Sequence, residues 1–572
     1  MKSRLLFICL LFNGICLNLF SQTARPHDIL IDEILPDPTP PQGLPNSEFI
    51  ELKNVSSTRY HLINWKIQDA AGSASIKTDF ILEPDSFVVI CASSSVSEYN
   101  VFGSAIGVSK LPSLNNDGDT IWIRSPEGVI IHAVAYDKSW YKNDLKSLGG
   151  WSLEMIDPKN PCAGSSNWKA CIDRKGGTPG QINSISQENP DLEAPRLLRT
   201  YSIDEKNIVA VFDEPLDSGT AANPSNYSLD PMGQPIAAES LGPMFQQARL
   251  TLPSNMSAFV RYKVQTQNLS DCAGNAIGPD NHTETGLPLQ ATANDLVINE
   301  ILFNPAANGY DYLEIYNRSK KIMDLRDIYL SGRKPNGSLE TIVVLSPAPM
   351  LIFPGDYFVF TENAQWLKDH YLVNNPEHII ELHSLPSMPD DRGDLILSDV
   401  QGQVIDELAY DQSWQFQLLA NTEGIALERM DPNHPTQDPQ NWSSAASVAG
   451  FGTPGYQNSE FRLASFGGAN ITISPNLFSP DNDGFEDFCF IHYQLPEPGW
   501  VANLSIYDGN GKPVRVLIQS ATLGNQGDFR WDGLDDQNKK LPTGIYVLKT
   551  ELFNLNGATR EFKNAVVLAK KF

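Results

Sequence analysis

Two pairs of glutamates have the residue type and spacing that acid–base catalysis requires. Glu33 and Glu51 lie in neighbouring apolar segments near the start of the chain, and Glu300 and Glu314 lie in closely similar segments further on. Two carboxyl groups on adjacent strands could stand at the separation used by glycoside hydrolases. Alternatively, they could accept hydrogen bonds from the backbone amides of a turn and fix the strand ends. Because the pair occurs twice without a cleft-forming insertion, we favour the structural interpretation and predict no catalytic residue.

An acidic turn near the C-terminus offers oxygen ligands for a metal ion. Asp481, Asp483 and Asp487 belong to the sequence Asp-Asn-Asp-Gly-Phe-Glu-Asp. Calcium is bound by several hard oxygen ligands on a flexible loop, so these three residues form a candidate calcium site. The spacing departs from the EF-hand loop, and a solvated turn with its tip at Asp483-Gly484 is the alternative interpretation. No other cofactor is predicted.

Other motifs that carry chemistry are isolated or missing. The triplet Arg392-Gly393-Asp394 matches an integrin-binding tripeptide, but we expect only a Gly-Asp turn that enters a strand. The sequence has no His-Glu-x-x-His, no Cys-x-x-Cys, no Gly-x-Ser-x-Gly and no phosphate-binding glycine loop before a helix. The prediction is therefore a protein without enzymatic activity.

The glutamate pairs belong to a larger duplication. Residues 29–54 recur as 296–317, Val134-Ala-Tyr-Asp-Lys-Ser-Trp140 recurs as Leu408-Ala-Tyr-Asp-Gln-Ser-Trp414, and Gly-Thr-Pro-Gly occurs at 177–180 and 452–455. The repeated units, 25–185 (the first copy) and 294–459 (the second copy), each have about 150 residues, enough for a core of their own. Tryptophans at matching positions are predicted to pack in these cores: Trp140, Trp168, Trp414 and Trp442.

Cysteine usage differs between the two copies. Cys162 and Cys171 flank one short loop of the first copy, and the second copy has Thr436 and Ala445 at the corresponding positions. Because both cysteines are gained or lost together, as a bridge requires, we predict a disulfide between Cys162 and Cys171. Cys91 is expected to be a small strand residue. The remaining cysteines of the mature chain are expected to be isolated: Cys272 and Cys489.

Short β-rich runs bounded by Gly, Asp and Pro dominate both copies. A helix is predicted only at 364–371. Between the copies, Tyr262, Val264 and Thr266 alternate with polar residues and should face one way. Each unit is therefore predicted to be an antiparallel sandwich or barrel. The clearest strands of the two copies are predicted at 86–91, 120–124, 357–360 and 394–397.

The two copies resemble the lamin-tail domain, an immunoglobulin-like β-sandwich named from nuclear lamins and widespread in secreted bacterial proteins. The resemblance rests on the opening Ile-Asp/Asn-Glu-Ile, the second-strand Glu-Leu/Ile-x-Asn, the Val/Leu-Ala-Tyr-Asp-x-x-Trp segment and the closing Gly-Thr-Pro-Gly. It implies one lamin-tail domain at 25–185 and another at 294–459.

The other two regions have resemblances of their own. Residues 190–290 (the middle region), with Val211-Phe-Asp-Glu-Pro-Leu216 and Asp271-Cys-Ala-Gly-Asn275, are similar to bacterial immunoglobulin-like domains of surface-layer proteins. Residues 471–572 (the C-terminal region), with Arg530-Trp-Asp-Gly533 and Leu541-Pro-Thr-Gly-Ile-Tyr546, resemble the immunoglobulin-like module of flagellar hook-capping proteins and C-terminal modules of type IX secreted proteins of Bacteroidetes. This second resemblance implies a sorting or anchoring module that engages the secretion machinery.

Composition and the N-terminus point to export. The net charge of −26 and the pI near 4.7 disfavour nucleic acid and anionic membranes as partners. Lys2 and Arg4 precede an apolar run that is too short to span a membrane, which is typical of a signal peptide, here residues 1–22. The mature protein is expected to be secreted or on the outer cell surface.

The sequence as a whole predicts an all-β protein of four tandem immunoglobulin-like β-sandwich domains after a signal peptide. We expect an exported, non-catalytic surface protein for adhesion, display or scaffolding, with an unidentified protein or glycan as partner. The alternative is an accessory module that binds polysaccharide or extracellular nucleic acid beside a separate hydrolase, because bacterial lamin-tail domains are often attached to nucleases or other hydrolases. A third hypothesis, an enzyme built into the sandwich loops, would need acidic clusters that converge in one cleft.

Overall fold

The computed structural model describes residues 23–279, 281–334, 336–419, 421–462 and 468–570, so the predicted signal peptide lies outside the described residues. The all-β fold class is confirmed. The described α-helices are short, and the helix predicted at 364–371 is present: Val96–Tyr99, Ser218–Ala221 and Ala364–His370. Among the described residues, no helix combines the length and apolar character needed to cross a bilayer.

The chain divides into two compact units. One holds the described residues of 23–200, 207–254 and 263–283, that is, the first copy and most of the middle region. The other holds the described residues of 201–206, 255–262 and 284–570, which include the second copy and the C-terminal region. The division into four domains stays a prediction.

The first copy has two main sheets. The larger has six strands, in the spatial order Trp168–Ala170, Leu153–Met155, Ile29–Leu35, Phe49–Asn54, Phe87–Ala92 and Ala105–Val108. The smaller has four strands, in the order Ile130–Asp137, Gly118–Arg124, Lys66–Gln68 and Ser73–Ser75. A short pair completes this copy: Tyr60–His61 with Ile81–Leu82.

The second copy repeats this arrangement strand for strand. Its larger sheet has the order Trp442–Ser444, Leu427–Arg429, Leu296–Leu302, Tyr312–Asn317, Tyr357–Thr361 and Ile379–Glu381. Its smaller sheet has the order Val404–Asp411, Arg392–Asp399, Ile328–Arg333 and Leu339–Val344, and its short pair is Met323–Asp324 with Leu351–Ile352. The duplication read from the sequence is therefore a duplication of structure.

The opening strand of each copy lies in the middle of the larger sheet. All seven residues of Ile29–Leu35 are buried, and so are all seven of Leu296–Leu302, although each strand carries two polar residues. Both strands have an irregular register just before the glutamate, between Ile31 and Glu33 and between Ile298 and Glu300. Because the residues on both faces of these strands are buried, their polar side chains must find partners inside the protein.

The repeated tryptophans pack in pairs, as predicted. The ring centroids of Trp140 and Trp168 are 6.2 Å apart, and those of Trp414 and Trp442 are 6.4 Å apart. Trp168 and Trp442 are buried, and Trp414 packs against the core of its copy. The same two indoles therefore fill the same place in both sandwiches.

The middle region consists of short strands. Asn207–Phe212 pairs with Gln247–Thr251, which pairs with Ala237–Leu241. Tyr227–Asp230 pairs with Tyr262–Thr266, in which Tyr262, Val264 and Thr266 are buried as the alternation predicted. The region also includes the strands Leu197–Ser202 and His282–Thr285.

The C-terminal region packs a three-stranded sheet and a five-stranded sheet around Trp531. This indole is fully buried, and its centroid lies 5.2 Å from that of Phe478 and 5.3 Å from that of Tyr546. The smaller sheet has the order Asn470–Ser474, Cys489–Gln494 and Gln526–Trp531. The larger has the order Leu477–Phe478, Thr559–Leu568, Gly544–Asn554, Trp500–Asp508 and Pro513–Leu523.

The structure corrects the predicted disulfide. Cys162 is bonded not to Cys171 but to Cys272 of the middle region, with Cα atoms 6.4 Å apart. Cys171 is a buried free thiol whose Sγ lies 3.4 Å from the hydroxyl of Ser184 inside the first copy. The strand before Cys171, Trp168–Ala170, pairs within the larger sheet and holds Cys171 in the interior of the first copy. Cys162 lies elsewhere in this copy, beside His27. The prediction that Cys272 is isolated was therefore wrong, while Cys91 and Cys489 are free and buried.

Candidate functional site

Three glutamates meet across three neighbouring strands in each copy. Glu33 stands opposite Glu51 on one side and opposite Glu154 on the other. The second copy has the same arrangement of Glu300 between its two neighbours, Glu314 and Glu428. All six side chains are fully buried. We call each set of three a carboxylate cluster.

The third glutamate of each cluster was not singled out from the sequence. Its signal was present, because Leu153-Glu154 in the first copy matches Leu427-Glu428 in the second. A charged residue that recurs between apolar neighbours in a duplicated strand is a candidate for a buried, partnered position. The strand order that brings it beside Glu33 and Glu300 is not readable from spacing alone.

The closing Gly-Thr-Pro-Gly segment of the first copy supplies hydrogen-bond donors to all three carboxylates. The Thr178 amide donates to Glu33 Oε1 at 2.8 Å, and the Thr178 hydroxyl donates to Glu154 Oε1 at 2.7 Å. The Gly180 amide donates to the Glu51 carboxylate. The glutamates thus accept hydrogen bonds from turn amides, as the structural interpretation predicted.

The second copy uses the same donors from the same motif. The Thr453 amide lies 2.9 Å from Glu300 Oε1, and the Gly455 amide lies 2.6 Å from Glu314 Oε2. The Thr453 hydroxyl oxygen lies 2.7 Å from Glu300 Oε2 and 2.8 Å from Glu428 Oε1. A hydroxyl carries one proton, so one of these two contacts must use a proton held by a carboxyl group.

Burial and mutual repulsion make the clusters bind protons. Burial, with the charge of Glu154 beside it, raises the pKa of Glu33 to about 8. Burial and Glu428 raise the pKa of Glu300 to about 8 as well. Burial and the neighbouring glutamate also raise the pKa of Glu51 and of Glu314 well above its usual range. Burial and the neighbouring carboxyl groups therefore favour the protonated forms of Glu33, Glu51, Glu300 and Glu314.

The glycines of the closing motif are required by space. A Cβ atom on Gly177 would stand 2.6 Å from Leu44 Cδ1 and 2.7 Å from Glu33 Oε1. Gly180 has a φ of +78°, and a Cβ atom on it would stand 2.8 Å from the Cα atom of Gly103. A side chain at either position would push the segment away from the carboxylates. The closing motif therefore covers the carboxylate cluster, and it can do so only with glycine at these two positions.

The predicted acidic turn does bring its three aspartates together. One carboxylate oxygen from each of Asp481, Asp483 and Asp487 lies within 4.8 Å of the others. The Asn482 amide donates to Asp487 Oδ1 at 2.6 Å, and the Gly484 amide donates to Asp487 Oδ2 at 2.9 Å. These bonds stabilise the turn by themselves, so calcium binding stays a prediction.

A second acidic group was not foreseen from the sequence, because its members are far apart in the chain. One oxygen from each of Asp191, Glu214 and Asp271 lies within 4.8 Å of the others. Asp271 Oδ1 already accepts the amides of Gly274 at 2.6 Å and Asn275 at 2.8 Å. Burial, with Asp191 and Asp271 nearby, raises the pKa of Glu214 to about 8. The crowding of acidic groups therefore favours the protonated form of Glu214.

The Arg392-Gly393-Asp394 triplet opens a strand, as the sequence indicated. The strand Arg392–Asp399 pairs with Val404–Asp411. A Cβ atom on Gly393 would stand 2.6 Å from the hydroxyl oxygen of Tyr410, so the glycine is explained by close packing.

Comparison with protein families identifies three regions of the chain. The lamin tail domain model matches residues 22–138 and 290–412. The FlgD Ig-like domain model matches residues 489–552. The lamin tail matches contain the first two glutamates of each cluster and end before the third glutamate and the closing motif.

Solved structures give only distant matches, and no curated protein matches the chain. The N-terminal part of the bacterial S-layer protein SbsC is 13% identical over 38% of this chain and 44% of its own, with a TM-score of 0.16. A DUF4876 family protein from Bacteroides thetaiotaomicron is 10% identical over 41% of this chain and 86% of its own, with a TM-score of 0.18. A tetra-tandem repeat from the extending region of a large adhesion protein is 12% identical over 92% of this chain and 96% of its own, with a TM-score of 0.14.

These scores are too low to support an inference. The chain spans about half the length of the S-layer structures that it matches, 44% and 55%. The family matches and the repeated sandwich architecture carry the assignment instead: the chain contains two lamin tail domains and a C-terminal FlgD-type immunoglobulin-like domain.

Proposed function

We propose that this chain is an exported, non-catalytic modular protein of the cell surface that serves adhesion, display or scaffolding. One observation carries the proposal: the residues whose spacing fits acid–base chemistry are sealed inside both lamin tail domains by the same closing motif. A catalytic carboxyl group must reach its substrate within hydrogen-bonding distance. Glu33, Glu51, Glu300 and Glu314 are 0% exposed.

The clusters act as internal cross-links in this proposal. Each closing segment is joined to three strands of the larger sheet through its threonine and second glycine. In a dry interior, a carboxyl group that loses a hydrogen-bond donor is left unpaired at a high cost in free energy. The hydrogen bonds to the cluster therefore hold the closing segment in one position against the sheet. The loops at the sandwich ends then remain free to vary and to bind a surface protein or glycan.

The C-terminal region is proposed to sort or anchor the protein. Support for sorting comes from the match to the FlgD Ig-like domain at residues 489–552. Support for export comes from the N-terminal segment, in which basic residues precede an apolar run as in a signal peptide. The acidic net charge of −26 supports a protein or glycan partner over nucleic acid.

Cell fractionation of the full chain against a form truncated after Asn470 tests localisation and sorting. We expect surface-exposed full-length protein, accessible to added protease on intact cells, and a truncated form held in the periplasm. Truncated protein that reaches the surface equally well would remove the sorting role. Full-length protein that stays in the cytoplasm would remove the proposed function as a whole.

The non-catalytic assignment has a test of its own. The double variant Glu51→Gln, Glu314→Gln keeps the size of both side chains and removes the carboxyl groups that acid–base catalysis would need. We expect no change in any hydrolytic activity measured on glycan and nucleic acid substrates with the purified full chain. A folded double variant that loses an activity present in the parent would show that the glutamates are catalytic.

A further inference from the structure

The two carboxylate clusters differ at one corresponding position of the opening strand. The second copy has Asn299 just before Glu300, and the first copy has Asp32 just before Glu33. Asn299 Nδ2 donates to Glu314 Oε1 at 2.7 Å and lies 2.6 Å from Asn458 Oδ1. One amide group therefore joins the opening strand to both the second strand and the closing segment.

The frame around this position is the same in both copies. Asn458 Nδ2 donates to the carbonyl oxygens of Asn299 at 3.0 Å and Arg429 at 2.9 Å. In the first copy, Asn183 Nδ2 donates to the carbonyl oxygens of Asp32 at 3.0 Å and Met155 at 2.9 Å. The corresponding atoms are therefore held in corresponding places, and the side chain at position 32 or 299 is the difference.

The acceptors that Asn299 satisfies have no partner in the first copy. Within the described part of the chain, Asn183 Oδ1, Glu51 Oε1 and Asp32 Oδ1 are buried without a hydrogen bond. Asp32 is 1% exposed, Glu51 0% and Asn183 6%. An ionised aspartate has only acceptors, so it cannot serve either neighbour. A proton on Glu51 could serve only one of the other two oxygens, so an acceptor would stay unpaired in a dry site, which is unfavourable.

We propose that Asp32 holds a proton in the folded first copy, where the second copy uses the amide of Asn299, so that closure by residues 177–185 weakens as the pH rises. A protonated carboxyl group has one O–H donor, which can serve Glu51 or Asn183. Protonated Asp32 thus supplies one of the two hydrogen bonds that the Asn299 amide supplies in the second copy, and it does so only while the proton is bound.

The surroundings of Asp32 favour the protonated form. Its own strand contributes Glu33, the strand Phe49–Asn54 contributes Glu51 and Lys53, and the strand Leu153–Met155 contributes Glu154. From the other sheet, His132 Nδ1 accepts the amide of Ile31 at 3.0 Å. The closing segment 177–185 has no ionisable side chain.

Electrostatics agree with the geometry. Burial raises the pKa of Asp32 to about 7, a net value in which the charge of Lys53 opposes the rise and the charge of Glu154 adds to it. Burial lowers the pKa of His132 to about 3, so this imidazole is neutral and adds no charge. Because the folded state holds the proton more tightly than the unfolded chain, the stabilisation is complete below a pH of about 4 and is lost as the pH rises towards 7.

Hydrogen exchange of the full chain at pH 5 and pH 8, corrected for intrinsic rates, tests the proposal. In the parent, we expect residues 177–185 to exchange faster at pH 8. Asp32→Asn should reduce this pH difference, because the amide needs no proton. The reciprocal Asn299→Asp should add a pH difference to residues 452–460.

Each variant is compared with its own parent, because the second closing segment has a buried acid of its own, Glu460, at the position of Ile185. The glutamates of the clusters are present in both parent and variant, but the charge of Asp32 raises the pKa of Glu33 and of Glu51, so Asp32→Asn also changes their contribution. Titration of Asp32 itself, followed by carboxyl NMR in the unaltered chain, gives a readout that does not depend on how a variant folds. An unchanged pH difference in Asp32→Asn, or an Asp32 carboxyl that titrates near pH 4, would overturn the proposal.

Discussion

A single threonine in each closing motif touches more than one carboxyl group. Thr178 donates its amide to Glu33 and its hydroxyl to Glu154. Thr453 occupies the same position in the second copy. Serine would provide the same polar atoms, but the threonine methyl group restricts the rotamer and points the hydroxyl at the third glutamate. The residue type therefore follows from the geometry of the cluster.

Replacing Thr178 with valine should destabilise the first copy. Valine keeps the shape and the backbone amide but removes the hydroxyl, which leaves a buried Glu154 oxygen without its donor. We expect a loss of about 1–3 kcal/mol in the free energy of unfolding, measured by denaturant titration of the full chain. Thr78→Val changes an exposed threonine of the same copy and should have no such effect. Equal stability of the two variants would contradict the role given to the Thr178 hydroxyl.

The raised pKa of Glu33 predicts a pH-dependent stability of the opening strand. Glu33 has a folded pKa of about 8 against 4.5 in its ordinary range, so its proton stabilises the fold below about pH 4.5 and this stabilisation is lost as the pH rises to 8. Glu33→Gln, a neutral side chain of the same size, should reduce the pH dependence of hydrogen exchange in Ile29–Leu35. Glu127→Gln changes an exposed residue of the same copy and should leave it as in the parent.

At the scale of elements, the closing segment lies close to a neighbouring turn. Gly180 and Gly128 both have positive φ, +78° and +91°. A Cβ atom added at Gly180 would meet other atoms within 4 Å, whereas one added at Gly128 would meet none. Gly128→Ala should therefore cost only the backbone strain, about 1 kcal/mol. Gly180→Ala should cost more, because the segment must also move off Gly103 and the Glu51 carboxylate. Thermal unfolding of the two full-length variants measures the difference, and an equal loss would show that the close approach does not matter.

The acidic turn 481–487 offers a test of calcium binding at the same scale. If the turn holds calcium, the ion would neutralise three clustered aspartates, so calcium should raise the melting temperature of the full chain above that in chelator. Asp487→Asn should abolish the rise, because it removes one of the three carboxylates that would bind the ion. A melting temperature that is the same in calcium and chelator would remove this prediction.

Strands and core positions that show a pattern among neighbouring or repeated residues could be predicted from the sequence. Contacts between residues that are distant in the sequence could not. Alternation of Tyr262, Val264 and Thr266 gave the strand that the structure contains, because the period of two is a property of neighbouring residues. The repeated tryptophans gave the core positions, because duplication marks shared packing. Glu154 needed the strand order of the sheet to become the partner of Glu33, and this order is not local.

At the scale of the molecule, the disulfide is the clearest long-range contact that local reasoning missed. The bonded cysteines are 110 residues apart, and one lies in the first copy and the other in the middle region. Duplication marks shared positions only within the two copies, and the middle region has no second copy in the chain. Since both cysteines belong to the same compact unit, the bridge stabilises the association of two regions within that unit.

Peptide mapping of the non-reduced protein should find Cys162 joined to Cys272, with Cys171 free. Cys162→Thr introduces the residue found at the matching position of the second copy and should lower the free energy of unfolding of this unit by about 2–5 kcal/mol, because it removes a constraint on the unfolded chain. Cys171→Ala, which also follows the second copy, should keep the bridge and lack this loss. A mapped peptide that joins Cys162 to Cys171 would instead confine the bridge to one loop of the first copy, and the middle region would then associate without a covalent link.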